Sequence, residues 1–358
     1  MSHLDAVLAR IDTDLDASLA RLFEFLRIQS ISTDRAYAAE CRKAAEWLAA
    51  DLRGLGFADA SPRETGGHPA VVGRAAKEGA PHVLFYGHYD VQPVDPLDLW
   101  ETPPFEPRMV TLPDGRRVIS ARGACDDKGQ LMTFVEACRA WKAVTGSLPV
   151  GITMLVEGAE EDGSKFLPEF VEKHRDALKA DVALVCDTGM WDRDTPAITA
   201  SLRGMVYEEI TVRCADRDLH SGIFGGAAAN PARVLARIIA DLHDADGRIT
   251  LKDFYEGVQE TPSQVLEQWK GLGLTAEDFL GQVGLSIPSG EKGRMLIEQI
   301  QSRPTCDVNG IWGGYMGEGA KTVIAAQASA KISFRLVGQQ DPARVSKAFE
   351  EHVRARIP

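Results

Sequence analysis

Several things are missing from this 358-residue sequence, and each absence narrows the reading. There is no run of about 18 apolar residues, so no segment reads as a membrane-spanning helix. No Cys-x-x-Cys pair occurs. The cysteines, Cys41, Cys125, Cys138, Cys186, Cys214 and Cys306, are scattered, as expected for reduced, mostly buried thiols in a reducing compartment. Positive charge is in deficit: Lys and Arg total 40 against 52 Asp and Glu, a formal net charge of −12. That balance argues against nucleic acid as the main partner, because phosphate binding needs a basic face. The opening Met1-Ser2-His3-Leu4-Asp5 carries no signal-peptide apolar core, so a cytoplasmic protein is the expectation. No internal repeat or low-complexity segment stands out.

Against these gaps stand four acidic or imidazole clusters in a fixed order: His88-Tyr89-Asp90, Asp126-Asp127-Lys128-Gly129, Glu160-Glu161-Asp162 and Cys186-Asp187. The first, third and fourth each follow a short apolar run that reads as a strand, namely residues 83–86, 152–156 and 182–185. Carboxylates and an imidazole at the carboxyl ends of neighbouring strands make an oxygen-rich hollow, where open α/β sheets place their ligands. One histidine with several carboxylates is the ligand set of a hydrolytic metal centre. Each cluster also has a plainer reading by itself. Asp126 could cap a helix, Glu160 and Glu161 could form an acidic turn, and His88 with Asp90 could be a structural pair.

The length suggests two domains, and 44% hydrophobic residues suffice for sizeable cores. Apolar spacing predicts helices over 4–29 and 36–54, the latter ending at Gly54 or Gly56. Prolines 93, 96, 103, 104 and 107 mark an irregular loop, and Pro113-Asp114-Gly115 marks a hairpin turn. A helix over 128–143, a strand over 150–156, a helix over 164–178 and a strand over 181–186 follow. This alternation predicts an α/β fold: a mostly parallel sheet with helices on both faces, in a catalytic domain spanning 1–203. Residues 204–358 change texture, with an alternating stretch at 205–213, helices at 229–243 and 341–355, and strand-like residues at 322–337. A smaller α+β domain is expected there.

The motifs His88-Tyr89-Asp90-Val91-Gln92-Pro93, Arg122-Gly123-Ala124-Cys125-Asp126-Asp127-Lys128-Gly129 and Glu157-Gly158-Ala159-Glu160-Glu161-Asp162-Gly163-Ser164 resemble the signatures of the M20 family of di-metal peptidases. Asp218-Leu219-His220-Ser221-Gly222 and Gly313–Thr322 resemble its dipeptidase branch, which includes carnosine dipeptidase-like enzymes. The resemblance implies two divalent ions per subunit, zinc first, with manganese or cobalt as alternatives. His88, Asp126 and Asp187 would hold metal one, with Asp126 bridging to metal two and Glu161 binding there. Asp90 would orient the His88 ring. A cis peptide would follow Asp126. Glu160 would be the general base for a metal-bridging water that attacks the peptide carbonyl, and would pass the proton to the leaving amine. His220 would reach across a homodimer formed by the lid domain to stabilise the oxyanion, and Arg335 would hold a substrate carboxylate. Cys125 and Cys186 precede proposed ligands but are not assigned as ligands.

A small peptide is therefore the expected substrate. An N-acyl-amino-acid deacylase of the same family is the alternative, and a non-catalytic dimerisation fragment is a further one. The resemblance also implies a late histidine, in a segment returning to the catalytic domain, that completes metal two. The sequence ends at Pro358 in what reads as the second domain, so that return segment is expected to be missing. His3, His68, His82, His174, His243 and His352 are poor substitutes for the histidine. The glycine-rich 313–319 lacks the strand–loop–helix setting of a phosphate loop, so nucleotide binding is not expected.

Overall fold

The apolar-spaced stretch 4–29 forms two helices rather than one in the computed structural model, which describes residues 3–192 and 194–358. They are α1 (His3–Thr13) and α2 (Leu15–Leu26). The Thr13 hydroxyl donates to the Ala9 carbonyl at 2.8 Å, a bond that bends helices. Hydrogen bonding continues on both sides of Asp14, so the interruption is local. The chain divides into two units, Met1–Ile198 and Thr199–Pro358.

In the first unit α3 (Ala38–Leu55) ends at Gly56, whose φ of 100° is the left-handed conformation that glycine adopts at helix ends. Next come β1 (Ser61–Arg63), β2 (Ala70–Ala75) and β3 (His82–His88). The expected hairpin is β4 (Arg108–Thr111) and β5 (Arg117–Ser120). After it run α4 (Lys128–Thr145), β6 (Gly151–Glu157), α5 (Leu167–Lys173) and β7 (Val182–Val185). The five-stranded sheet has the order β1-β2-β6-β3-β7. β3 runs parallel to both β6 and β7. β2 is antiparallel to β6 and to β1, which makes the sheet mixed. The α/β class therefore holds, and the parallel character is concentrated in the strands that lead into the acidic clusters.

Every residue of β6 is buried, as a continuous apolar run covered on both faces should be. One face packs Phe85 and Met154 against Phe25, Leu48, Leu52 and Leu131 of the flanking helices. The other packs Val72 and Leu155 against Phe170 and Leu178. The helix expected over 164–178 is shorter because Gly163 and Ser164 both have positive φ and form a turn before it. Pro168 then sits in the first helical turn, where its missing N–H costs nothing.

In the second unit β8 (Gly204–Arg213), β9 (Leu219–His220), α6 (Ser221–Phe224) and α7 (Pro231–Ala240) come first. α8 (Ser263–Gly271), α9 (Ala276–Leu280), α10 (Leu296–Gln301), β10 (Thr305–Gly313), β11 (Val323–Ile324), β12 (Gln327–Leu336) and α11 (Pro342–Arg354) follow. β12 lies between β10 and β8 in an antiparallel sheet. Its core joins Ile332, Phe334 and Leu336 to Val345 and Phe349 of α11. Among the described residues no helix is long and apolar enough to cross a membrane.

Candidate metal centre

Three parallel strands set the site. Register pairs His88 with Glu157 and Tyr86 with Val185, so the carboxyl ends of β3, β6 and β7 meet at one edge. His88 is the last residue of β3 and is fully buried. Its Nε2 lies 3.0 Å from Oδ1 of Asp126 and 3.9 Å from Oδ2 of Asp187. One donor atom from each of these three residues lies within 4.8 Å of the others, a spacing that suits a shared cation.

The other imidazole nitrogen, Nδ1, faces Asp90, 3.1 Å from the carbonyl oxygen and 3.3 Å from Oδ1. That leaves Nε2 as the outward-facing nitrogen, an arrangement typical of a metal-binding histidine backed by a carboxylate. Asp90 also reaches the third cluster. Its Oδ1 accepts the N–H of Glu160 at 3.2 Å and its Oδ2 the N–H of Glu161 at 3.0 Å. Glu161 Oε2 takes a hydrogen bond of 2.6 Å from Gln92. Glu161 is outside the three-residue group, although the charge of Asp126 acts on its carboxyl.

The peptide between Asp126 and Asp127 is cis. Asp127 is fully buried. Its Oδ2 accepts the backbone N–H of His88 at 2.9 Å, and its Oδ1 has no hydrogen-bond partner. A Cβ at position 87 would stand 2.8 Å from Oδ2, so the glycine leaves room for this bond.

The field favours positive charge. Burial opposes charging of His88, yet its hydrogen bond to Asp90 and the charges of Asp90, Asp127 and Asp187 push it up to about 10. Burial first, then carboxylate neighbours, raises Glu160, Glu161 and Asp187. Burial pushes Asp127 up to about 7. Four carboxyls raised by burial near one imidazole fit a divalent cation electrostatically as well as by donor type.

Two supporting groups were not identified from the sequence. Glu157, at the end of β6, accepts from the Tyr86 hydroxyl at 2.6 Å and from Ser164 Oγ at 2.8 Å, bracketing the Glu160–Glu161 turn. Gln92 fixes Glu161 as described. An acidic residue ending an otherwise apolar strand was the available signal for Glu157.

His220 and Arg335 belong to the second unit. His220 is exposed and precedes α6, where its Nδ1 accepts the Gly222 N–H at 3.0 Å. Arg335 is exposed on β12 opposite Thr305 and Met205. Burial and the charge of Arg335 both lower the neighbouring Arg203.

The model of peptidase family M20/M25/M40 matches residues 84–355. The Cys-Gly metallodipeptidase dug1 of Schizosaccharomyces pombe is 32% identical over 98% of this chain and 75% of its own length. The human Beta-Ala-His dipeptidase is 33% identical over 76% of this chain and 53% of its own. The solved structure of the dipeptidase Dug1p from Saccharomyces cerevisiae superposes with a TM-score of 0.82 at 28% identity, covering 100% of this chain and 77% of that one.

Proposed function

The chain belongs to peptidase family M20/M25/M40, and on that premise we propose that it is a metal-dependent dipeptidase. The observation that carries this reading is the meeting of His88, Asp126 and Asp187 within 4.8 Å at the carboxyl edge of three parallel strands. Relatives named as Cys-Gly and Beta-Ala-His dipeptidases support dipeptides over longer peptides.

Held at this edge, divalent cations supply Lewis acidity toward a peptide carbonyl and toward water. His88 Nε2, Asp126 and Asp187 would hold one. Asp126 would be shared with a second, for which Glu161 is the further ligand. Zinc is the proposed ion, and an oxygen-rich set of this kind also suits manganese and cobalt. Glu160 acts as the base, taking the proton of the attacking water and giving it to the leaving amine. Burial raises its carboxyl toward the working pH, as a general base requires. Asp90 restrains the Glu160 turn through two backbone amides. Arg335 is assigned to the substrate carboxylate, which its planar fork suits. His220 is assigned to the oxyanion, acting across a homodimer formed by residues 204–358.

The test is hydrolysis of Cys-Gly, β-Ala-His and a wider dipeptide panel by the metal-loaded chain, with N-acetyl amino acids alongside. Metal-dependent release of free amino acids from dipeptides is expected. Preference for the N-acetyl compounds would replace the dipeptidase reading with a deacylase.

A further inference from the structure

The motif that supplies Asp126 also carries a lysine with no part in the chemistry above. Lys128 opens α4 and is fully buried. Its ammonium donates to the carbonyl oxygens of Phe25 at 3.1 Å and Ile28 at 2.7 Å, and lies 4.9 Å from the centroid of the Phe25 ring. The Phe25 carbonyl lies in the last turn of α2 and the Ile28 carbonyl two residues beyond it; each also accepts a backbone N–H, from Ile28 and Ser30 respectively.

The loop around Lys128 is shaped to let it through. A Cβ at Gly123 would stand 3.4 Å from Lys128 Cδ and 2.9 Å from Val91 Cγ1. The Gly129 N–H donates to the Gly123 carbonyl at 3.2 Å, closing the turn that presents Asp126 and Asp127. A Cβ at position 129 would collide with the Ala124 carbonyl.

The segment held by Lys128 also holds the histidine loop. Ser30 Oγ donates to the Tyr89 carbonyl at 2.7 Å, and the Ser30 carbonyl accepts the Val91 N–H at 2.9 Å. Ile31 forms an isolated β-bridge with Val91. Both loops that meet at the metal centre are therefore fastened to residues 25–31.

We propose that Lys128 is a positioning residue of the metal centre: with Ser30 it clamps the Asp126 turn and the His88–Asp90 loop to one shared anchor, residues 25–31. The inference rests on the metal-centre reading above. An unbranched apolar side chain of similar length would fill much of the same space. What lysine adds is two directed hydrogen bonds, which fix where Asp126 stands relative to His88 Nε2.

The test compares Lys128→Met, Ser30→Ala and a control, Leu52→Ala, which removes a fully buried core side chain from α3. Cobalt(II) is titrated into each metal-stripped chain and followed by its visible absorption. Thermal unfolding of the metal-free proteins is recorded in parallel. Lys128→Met and Ser30→Ala are each expected to raise the cobalt Kd by about 10–100-fold, the usual cost of removing a group that orients metal ligands, and to change the visible bands. Leu52→Ala is expected to lower the Tm while keeping affinity and spectrum. Wild-type affinity and spectrum in Lys128→Met and Ser30→Ala would overturn the proposal. Should Lys128→Met fail to fold, Lys128→Gln takes its place in the titration, while Ser30→Ala tests the hold on the histidine loop. Failure of the unsubstituted chain to bind cobalt would instead overturn the metal-centre reading and this inference with it.

Discussion

Nδ1 of His88 lies 3.3 Å from Oδ1 of Asp90, and the same carboxylate takes the backbone N–H groups of Glu160 and Glu161. One buried side chain thus spaces the imidazole from the turn that bears the proposed base. An amide cannot do this. In Asp90→Asn one of the two oxygens becomes an NH2 that must face an N–H donor. Asp90→Asn is expected to weaken metal binding and to lower turnover, each by about 10–100-fold. Calorimetric metal titration and steady-state kinetics measure the two effects, and wild-type values in both would refute the coupling.

Glu160 and Glu161 are adjacent but are assigned different tasks. Glu160→Gln keeps the size and removes the proton acceptor. Metal content should stay near that of the wild type while turnover falls by at least about 100-fold, the scale of a general base. Elemental analysis beside the kinetics checks this. Loss of metal with activity kept per bound ion would exchange the roles of the two glutamates.

In the second unit Arg303 Nε lies 2.9 Å from Oε2 of Glu291, and both side chains are nearly inaccessible. Arg294 approaches the same carboxylate at 3.8 Å. Arg303→Met leaves the buried carboxylate with only the longer contact to Arg294 as a cationic partner, and should cost about 3 kcal/mol. Arg303→Met combined with Glu291→Leu should cost much less, because no charge is left unpaired. Urea unfolding of the two variants decides between them, and equal losses would rule out the ion-pair account.

His352 is buried on α11, with Nε2 facing the Ile238 carbonyl at 3.1 Å. Burial holds it below its ordinary value of 6.5 despite that hydrogen bond. The neutral ring is the folded form, so on acidification the unfolded chain takes up the proton first. The contribution of His352 is complete above 6.5 and is lost as the pH falls below it. The Tm advantage of the wild type over His352→Gln should therefore shrink between about pH 7.5 and about pH 5. A constant difference across that range would exclude the titration.

The clusters at the ends of β3, β6 and β7 were legible because apolar runs stop abruptly at charged residues, and strand ends fix where those charges go. Glu157 was harder to see: its role depends on cross-strand register with His88 and on a hydroxyl from Tyr86, and neither is a local property of the sequence. The same holds for Gln92, which meets Glu161 across 69 positions. β10 went unrecognised because Asp307, Asn309 and Gly310 interrupt its apolar pattern, and pairing with β12 through a bulge overrides that weak local preference. The antiparallel edge strand β1 was likewise obscured, since Ser61-Pro62-Arg63 has no strand signature without its partner β2.

Tyr89 points into the space beside Gly158, where an added Cβ would overlap its hydroxyl and ring, and the hydroxyl itself donates to the Pro69 carbonyl at 2.6 Å. The two positions are consequently not free to drift independently. A side chain at 158 demands the loss of the ring at 89, and losing that ring alone leaves a void beneath the histidine loop and an unanswered carbonyl at Pro69. In a library randomised at both sites, survivors should show joint substitution, so covariation between 89 and 158 becomes a record of this single steric exclusion.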